Sequence, residues 1–426
     1  MNAVDRKIGS EEAMALENKY GAHNYHPLPV VLSRGEGVYV WDAEGKRYYD
    51  FLSAYSAVNQ GHGHPKIVGA LKDQAETLAL TSRAFYNDVL GDYEQYITEY
   101  FDYDKVLPMN TGAEAVETAI KICRKWGYEK KGIPSNKAKI IVCQDNFHGR
   151  TTTIVSFSVD PDANGNFGPF TPGFEIIPHN DIASLEKALE DKNVAGFMVE
   201  PIQGEAGVFV PDEGYLAAAH ALCKEKNVLF IADEVQTGIA RTGSILAMCG
   251  DCNCEANCER QSTYRKADLL ILGKAISGGV YPVSAVLADD DVMDVITPGS
   301  HGSTFGGNPV GAKVAMAALQ VVRDEKLTQN ARHLGNMFRA EINKLVEKCE
   351  LVNAVRGKGL LNAILINDTP ESSTAWDICI KLRDNGLLAK PTHGNIIRFA
   401  PPLVMTEEQL MDCVSIISKT LMEFEK

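Results

Sequence analysis

Two residues able to do chemistry stand where predicted buried strands end. The apolar run at residues 228–232 ends in Asp233, and the run Leu269–Leu272 leads through Gly273 to Lys274. Ligands of open α/β sheets bind at the carboxyl ends of strands. A carboxylate and an amine are expensive to place there unless they have a partner or a task. Singly, each is more often a helix cap or a surface ion pair, but together they indicate a site.

Pyridoxal phosphate chemistry requires this pair of groups. A lysine amine must form a Schiff base with the cofactor aldehyde. A carboxylate must keep the pyridine nitrogen protonated so that the ring can accept electrons. Lys274 and Asp233 are the candidates for these two tasks.

The phosphate of such a cofactor needs backbone donors. Residues 110–114, Asn-Thr-Gly-Ala-Glu, open an amphipathic segment in which Gly112 permits close backbone approach. The start of a helix favours an anion. A plain capping box between Thr111 and Glu114 fits the same residues slightly better when they are taken alone. A glycine-rich turn at residues 302–309 contains Thr304, whose hydroxyl could donate to a phosphate.

The elements that would position these groups alternate between strand and helix. Short apolar runs rich in Ile, Val, Leu and Phe predict strands buried on both faces, and hence a parallel sheet. They lie at residues 139–143, 196–199, 228–232 and 269–272. Helical spacing of apolar residues between them predicts a doubly wound α/β core.

The two ends of the chain predict a smaller unit. Residues 37–41 and 47–51 flank a turn and predict a hairpin. Residues 361–366 and 396–399 predict further strands, and a capping box of Thr406 with Gln409 precedes a C-terminal amphipathic helix. Residues 310–325 predict a long helix that joins the two units. The predicted division is an N-terminal segment 1–54, a large domain 55–310 and a C-terminal domain 311–426.

Composition limits the classes of function. The net charge of −14 disfavours nonspecific binding to nucleic acid or anionic membranes. No run of about 18 apolar residues predicts a spanning helix. The N-terminus has neither a secretory nor a mitochondrial presequence pattern, and the dispersed cysteines favour a reducing compartment. The expectation is a cytoplasmic protein, or a mitochondrial matrix protein if a presequence was removed.

Taken together, these segments resemble the class III pyridoxal-phosphate aminotransferases of fold type I. The resemblance is densest from Asp233-Glu234-Val235-Gln236-Thr237-Gly238 to Gly273-Lys274, and it runs nearly end to end. Residues 20–27, 55–62, 199–207 and 388–394 are similar to the ornithine aminotransferases in particular. The resemblance implies a large, mostly parallel, doubly wound sheet domain, a smaller α/β domain built from both chain ends, and pyridoxal 5'-phosphate as cofactor.

The resemblance also assigns cofactor roles. Lys274 would hold the cofactor and carry the proton, Asp233 would pair with the ring nitrogen, and Gln236 would reach the ring hydroxyl. The remaining contacts would be stacking by Phe147, amide donation to the phosphate by Gly112 and Ala113, and donation by Thr304 of a partner copy. A site shared in this way implies an obligate homodimer, with a higher oligomer still open.

Substrate roles follow from the same likeness. Arg150 would bind the α-carboxylate of ornithine and later the distal carboxylate of 2-oxoglutarate. Tyr25 would hold the α-amino group, and Tyr55 would line the pocket. Arg398 would bind the α-carboxylate of glutamate and would pair with Glu205 while ornithine is bound. The simpler alternatives are core aromatic residues for the two tyrosines and a structural ion pair for Glu205 with Arg398.

That ion pair has a chemical logic. Ornithine must react at its δ-amine, whereas glutamate must react at its α-amine. A free Arg398 would capture the α-carboxylate of ornithine and present the wrong amine. A buried arginine without an anion costs several kcal/mol, so either Glu205 or a substrate carboxylate should accompany it.

The chain departs from the ornithine enzymes at two places. His148 stands where many of them carry tryptophan and many other class III members carry histidine, and it would contact the cofactor edge or the substrate pocket. The other departure is an insertion with Cys249, Cys252, Cys254 and Cys258. A zinc site, a redox switch and a cysteine-rich surface loop all remain open for it, and no metal is assigned. The pair His62 and His64 is better explained as loop histidines than as metal ligands.

The predicted reaction is transfer of the δ-amino group of ornithine to 2-oxoglutarate, giving glutamate-5-semialdehyde, which cyclises to pyrroline-5-carboxylate, and glutamate. Acetylornithine or 4-aminobutyrate aminotransferase is the alternative within the class. A racemase or mutase on the same fold and a noncatalytic binding protein are the alternatives outside it. Neither a nucleic acid nor a membrane is expected as a partner.

Overall fold

A computed structural model describes residues 8–250 and 265–424. Its strands are β1 Leu32–Glu36, β2 Tyr39–Asp42, β3 Arg47–Asp50, β4 Lys105–Met109, β5 Lys139–Cys143, β6 Phe174–Ile177, β7 Val194–Val199, β8 Leu229–Asp233, β9 Leu269–Leu272, β10 Ser284–Ala288, β11 Val352–Lys358, β12 Leu361–Ile366, β13 Leu387–Leu388, β14 Lys390–Pro391 and β15 Ile396–Phe399.

Its helices are α1 Ser10–Tyr20, the single turn α2 Ser53–Ser56, α3 Pro65–Thr77, α4 Leu90–Phe101, α5 Gly112–Glu129, α6 Pro161–Asn164, α7 Ile182–Ala188, α8 Tyr215–Glu225, α9 Asp290–Met293, α10 Pro309–Asp324, α11 Leu327–Val346, α12 Thr374–Asp384 and α13 Glu407–Phe424. Short 3₁₀ turns follow β9 at Lys274–Ser277 and precede the insertion at Ala247–Cys249.

A seven-stranded sheet forms the centre of the large unit, in the order β4-β10-β9-β8-β7-β5-β6. The strands from β9 to β6 run parallel, whereas β10 runs antiparallel to both β9 and β4. All residues of β7, β8 and β9 are buried. The predicted doubly wound, mostly parallel α/β fold is therefore confirmed, because apolar runs without alternation become strands covered on both faces.

Parallel pairing brings the carboxyl ends of β7, β8 and β9 to one edge of this sheet. Val199 pairs with Ala232, and Asp233 pairs with Ile271. The residues that follow these positions, Glu200 and Lys274 among them, therefore leave the sheet at the same edge. α5 packs against β7, β9 and β10, so its first turn reaches that edge as well.

Two four-stranded sheets build the rest, in the orders β1-β2-β3-β13 and β11-β12-β15-β14. The predicted hairpin is confirmed as the antiparallel pair β2 and β3. β13 pairs with β3 in parallel and so joins the C-terminal part of the chain to the N-terminal strands. The predicted domain boundaries at residues 54 and 310 stay a prediction that this pairing supports.

The predicted long helix and C-terminal helix are both present, as α10 and α13. Asn308 caps α10 by accepting from the Gly311 amide, and Pro309 occupies its first turn. Thr406 and Gln409 form the predicted reciprocal box before α13. Among the described residues, no helix has the length and apolarity that crossing a bilayer demands.

Candidate active site

Lys274 begins the 3₁₀ turn after β9 with φ of 44°, a left-handed conformation that lysine rarely adopts. Such backbone strain persists where surrounding structure imposes it, often at functional sites. Burial lowers the pKa of the Lys274 amine; the charges of Glu205, Asp233 and Glu200 oppose that effect, and Arg398 reinforces it. Within the described part of the chain the amine has no ion-pair partner. It is thus a desolvated amine with a raised fraction of its neutral, nucleophilic form.

Asp233, at the end of β8, faces away from solvent and is 4% exposed. Its Oδ1 accepts from the Val235 amide at 3.0 Å, and its Oδ2 lies 2.6 Å from Nδ1 of His148. Burial by itself lowers the pKa of His148, but the hydrogen bond to Asp233 and the charges of Asp233 and Glu200 outweigh burial and raise it. Nδ1 of His148 can therefore donate to Asp233 and stabilise negative charge on that carboxylate.

The structure places His148 behind Asp233 and not in an open pocket. Its side chain has no solvent exposure, and no hydrogen-bond partner of its Nε2 is found in the described residues. The expectation that His148 contacts the cofactor edge or the substrate pocket stays a prediction. Its geometry suits an action through Asp233.

Glu200, at the end of β7, is a third member of this buried cluster. Its Oε2 accepts from the Phe147 amide at 2.9 Å. Burial, aided by the charge of Asp233, raises the pKa of Glu200 to about 7, although His148, the Phe147 amide and Lys274 act in the opposite direction. No role was predicted for Glu200, yet its strand-end position was the same signal that singled out Asp233.

The start of α5 lies beside the turn that carries Lys274. A Cβ at Gly273 would be 3.5 Å from the Gly112 Cα, and a Cβ at Gly112 would be 3.0 Å from the Val235 side chain. Only glycine fits this contact without displacing Val235. The Thr111–Glu114 capping box is present, but it satisfies the Glu114 amide and leaves those of Gly112 and Ala113 for an anion. The capping and phosphate interpretations are therefore compatible.

Gln236 links this end of the site to the substrate end. Its Oε1 accepts from Nη1 of Arg398 at 3.2 Å. A Cβ at Gly204 would lie 2.1 Å from the same oxygen, so Gly204 provides the space that Gln236 occupies. Sequence reasoning did not single out Gly204.

Arg398, on β15, is the buried cation of the substrate end and is 2% exposed. Its Nη1 lies 3.3 Å from Oε1 of Glu205 and donates to the Gly204 carbonyl at 3.2 Å. Its Nε has no hydrogen-bond partner among the described residues. The predicted pairing of Arg398 with Glu205 is present, and the arginine retains a donor for a further acceptor.

Tyr55 covers the guanidinium of Arg398, whose Cζ is 4.6 Å from the ring centroid. The tyrosine is held by α2, in which Ser53, Ala54, Tyr55 and Ser56 all have positive φ between 46° and 74°. Four consecutive non-glycine residues in this region cost roughly 1–2 kcal/mol each. This strained left-handed turn places Tyr55 over Arg398. The residue types of Ser53–Ser56 do not indicate such a turn.

The other predicted site residues lie at the open side. Tyr25 is 71% exposed, and Arg150 and Thr304 are also exposed. The Cζ of Arg150 lies 5.7 Å from the centroid of the Phe147 ring. Thr304 lines a cleft of about 520 Å³ together with Thr111 and Ala113. In a single copy of the chain, Asp233 at the cofactor end of the predicted site is buried, whereas Tyr25, Arg150 and Thr304 are open to solvent.

The residues present fit pyridoxal phosphate. Lys274 is a desolvated amine without an ion-pair partner in the described residues, Asp233 is a buried carboxylate, and the α5 start offers amides to an anion. These three features match the aldehyde, the ring nitrogen and the phosphate of the cofactor. Gln236 and Phe147 stand at the same edge of the sheet.

The metal alternatives gain no support from the described residues. His62 and His64 bind different carboxylates, those of Asp50 and Glu325. No group of three potential ligands occurs in residues 8–250 and 265–424. Cys249 is buried, and the other three cysteines of the insertion lie outside the described residues.

Known proteins similar to this chain are aminotransferases. Residues 20–421 match the family model "Aminotransferase class-III". The mitochondrial ornithine aminotransferase of Drosophila ananassae is 61% identical, over 97% of this chain and 92% of the relative. The ornithine aminotransferase structure from Toxoplasma gondii, with partial occupancy of pyridoxal phosphate, has a TM-score of 0.93 at 49% identity, over 99% of this chain and 96% of that one. An acetylornithine aminotransferase from Elizabethkingia anophelis has a TM-score of 0.87 at 64% identity, over 98% of this chain and 100% of that one.

Proposed function

The chain belongs to the class III aminotransferases, and from that premise we infer that it is an ornithine aminotransferase. It transfers the δ-amino group of L-ornithine to 2-oxoglutarate and releases glutamate-5-semialdehyde and glutamate. The observation that carries this assignment beyond the class is the Glu205–Arg398 pair at 3.3 Å. An arginine whose charge is neutralised by a glutamate suits an enzyme whose first substrate must react at its terminal amine and whose second must react at its α-amine.

Pyridoxal phosphate, when bound, supplies a carbon that takes up the amino group and a ring that accepts the electrons of the broken C–H bond. Lys274 would hold the cofactor, and Gly112 and Ala113 would donate amides to its phosphate. Asp233, hydrogen-bonded by His148, would hold the proton on the ring nitrogen. Gln236 would reach the ring hydroxyl, and Phe147 would stack on the ring.

Lys274 also moves the proton of the reaction. Its pKa is lowered, so its nitrogen can act as a general base toward the substrate carbon that carries the reacting amine. The same nitrogen donates a proton to the α-carbon of the second substrate when the amino group is transferred to 2-oxoglutarate. Partial burial of the surroundings limits competition from water.

Substrate orientation depends on four groups in this proposal. Arg150 would bind the α-carboxylate of ornithine, and Tyr25 would accept a hydrogen bond from its α-ammonium. With Glu205 on Arg398, the δ-amine is the one that reaches Lys274. With 2-oxoglutarate, Arg398 would take the α-carboxylate and Arg150 the distal one.

A second copy of the chain would complete the outer wall. Aromatic side chains with unusually high exposure, Phe85, Tyr86 and Phe305, are 72%, 104% and 48% exposed. Their segments adjoin, since a Cβ at Gly307 would lie 3.2 Å from Nη1 of Arg83. Exposed apolar surface of this kind marks an interaction site. We propose a homodimer in which Thr304 of one copy donates to the phosphate bound by the other.

The Drosophila ananassae relative is a mitochondrial enzyme. For this chain we propose the cytoplasm or the mitochondrial matrix. Its insertion has no assigned role in this proposal.

Acetylornithine aminotransferase is the second candidate, favoured by the 64% identity to the Elizabethkingia anophelis enzyme. Both substrates react at the terminal amine, and they differ in whether the α-amine is free. A hydroxyl at Tyr25 that accepts from an ammonium favours the free amine, because an acetylated nitrogen carries no positive charge.

A substrate panel separates these functions. Ornithine, acetylornithine, lysine and 4-aminobutyrate are each supplied with 2-oxoglutarate, and glutamate and pyrroline-5-carboxylate are measured. Only ornithine yields pyrroline-5-carboxylate, because lysine would close to a six-membered ring, and neither acetylornithine nor 4-aminobutyrate has a free α-amine that can close on the new aldehyde. Lys274→Ala is the inactive control. A higher kcat/KM for acetylornithine or 4-aminobutyrate than for ornithine would overturn the assignment.

A further inference from the structure

A second cation stands beside the Glu205–Arg398 pair. β14 and β15 are antiparallel, and Lys390 lies directly opposite Arg398 in their register. Residues in such positions project from the same face of a sheet. Thr392, two residues beyond Lys390, donates from Oγ1 to the Glu205 carbonyl at 3.1 Å and lies 3.5 Å from Oε2 of Glu205. Lys390 and Thr392 therefore belong to the segment that flanks the Glu205–Arg398 pair.

The two cations differ in how they are used. Arg398 is buried and paired with Glu205, whereas Lys390 is half-buried and has no hydrogen bond or ion pair within the described residues. Burial lowers the pKa of Lys390, and the charge of Glu205 opposes that effect. Its Nζ approaches the ring of Tyr25, with 6.0 Å to the centroid. Lys390 is an available cation within the electrostatic reach of Glu205.

Glu205 needs such a cation when the second substrate binds. The Glu205 side chain is 27% exposed, so it can turn away from Arg398. A carboxylate that leaves one partner in a partly buried place loses its compensation unless another charge replaces it. Lys390 and Thr392 lie beside Glu205 and supply an ammonium and a hydroxyl that can donate hydrogen bonds.

We propose that Lys390 is the second partner of Glu205, receiving its carboxylate when the α-carboxylate of glutamate or 2-oxoglutarate takes Arg398. Lys390 is then a positioning residue that acts through Glu205 and sets the balance between the two substrates. The inference rests on the proposed function, because it assumes that Arg398 binds the α-carboxylate of the second substrate. Without Lys390, Glu205 would remain paired with Arg398. The binding of 2-oxoglutarate would then be weaker, whereas the binding of ornithine would not change.

The test uses Lys390→Met, which keeps the length of the side chain and removes its charge. In the holoenzyme we expect the KM for 2-oxoglutarate to rise about five- to tenfold, between the values of exposed and buried pairs. The KM for ornithine should change by less than about twofold, and Lys390→Arg should restore most of the loss. Lys381→Met is the matched control, because Lys381 on α12 pairs with Glu423 outside the site.

A double variant identifies the route of the effect. In a Glu205→Ala background, Lys390→Met should change the KM for 2-oxoglutarate no further, since its partner is gone. An effect of full size in that background would mean that Lys390 binds substrate directly and would overturn the proposal. Equal loss for both substrates would also overturn it, as a structural role predicts.

A crystal structure of the holoenzyme with glutamate gives a second readout. The Glu205 carboxylate should lie within about 4 Å of the Lys390 ammonium, the limit for an ion pair. A Glu205 turned to solvent, with Lys390 unpaired, would contradict the proposal. If the wild-type protein did not use ornithine, the proposed function would be wrong. If the wild type used ornithine but Lys390→Met left the KM for 2-oxoglutarate unchanged, only the inference about Lys390 would be wrong.

Discussion

Nδ1 of His148 lies 2.6 Å from Oδ2 of Asp233, and the imidazole is closed off from solvent. The hydrogen bond and the charges around it raise the pKa of His148 against the effect of burial. His148 therefore stabilises negative charge on the carboxylate that would face the cofactor ring.

His148→Ala should reduce turnover by about ten- to a hundredfold, because a buried carboxylate that loses its charged donor is destabilised by about 1.5–3 kcal/mol. The pH at which the visible absorption band of the bound cofactor titrates should shift as well. His64→Ala is the control, since His64 pairs with Glu325 away from the site. If the absorption band titrated normally and activity fell only in proportion to the amount of folded protein, His148 would have a purely structural role.

Glu200 should make stability depend on pH. Its pKa is about 7 in the folded protein against an ordinary value of 4.5, so between these values the folded protein holds a proton that the unfolded chain releases. The Glu200 contribution to stability is therefore complete below pH 4.5 and is lost as the pH rises to about 7. As the pH rises across this window, the free energy of unfolding of Glu200→Gln should increase relative to that of the wild type by on the order of 2 kcal/mol. Denaturant unfolding of cofactor-free protein measures the difference, and a difference independent of pH would contradict it.

Glu205→Gln should change which amine of ornithine reacts. Without the charge of Glu205, Arg398 can bind the α-carboxylate of ornithine and present its α-amine. We expect pyrroline-2-carboxylate, from reaction at the α-carbon, to appear beside pyrroline-5-carboxylate, and the KM for 2-oxoglutarate to fall about fivefold. The ratio of the two isomeric products, measured by chromatography that separates them against authentic standards, decides, and exclusive formation of pyrroline-5-carboxylate would show that the pair does not select the amine.

Tyr25→Phe tests the contact with the α-amine. Removal of one hydroxyl that accepts from a charged group should lower kcat/KM for ornithine by roughly ten- to a hundredfold. Turnover of 4-aminobutyrate, which has no α-amine, should change far less. Equal losses for both substrates would assign Tyr25 to the architecture of the pocket.

Gly335 and Gly69 form a matched pair for stability. A Cβ at Gly335 in α11 would lie 1.8 Å from the Gly359 carbonyl oxygen, whereas a Cβ at Gly69 in α3 would meet nothing within 4 Å. Gly335→Ala should therefore destabilise by about 3 kcal/mol or more. Gly69→Ala should stabilise by about 0.5–1 kcal/mol, since alanine is the better helix former. Thermal unfolding of the two variants checks both signs.

The pattern of residue types was enough for much of the large unit. Apolar runs at β5, β7, β8 and β9 lack alternation, which indicates burial on both faces, and parallel pairing then fixes that their carboxyl ends share an edge. For this reason Asp233 and Lys274 could be identified from their places at strand ends, and family resemblance supplied their chemistry. The first turn of α5 was equally local, because Thr111, Gly112 and Glu114 act within one helical turn.

Contacts between distant parts of the chain needed the tertiary structure. Glu205 and Arg398 are 193 residues apart, and the packing of two units sets their distance. Family resemblance named that pair, but Lys390 became its neighbour only through the register of β14 and β15. The orientation of His148 toward Asp233 likewise depends on how the segment after β5 packs beneath β8. The left-handed turn at Ser53–Ser56 had no glycine to mark it, since its strain is imposed by surrounding structure and not by its own residue types.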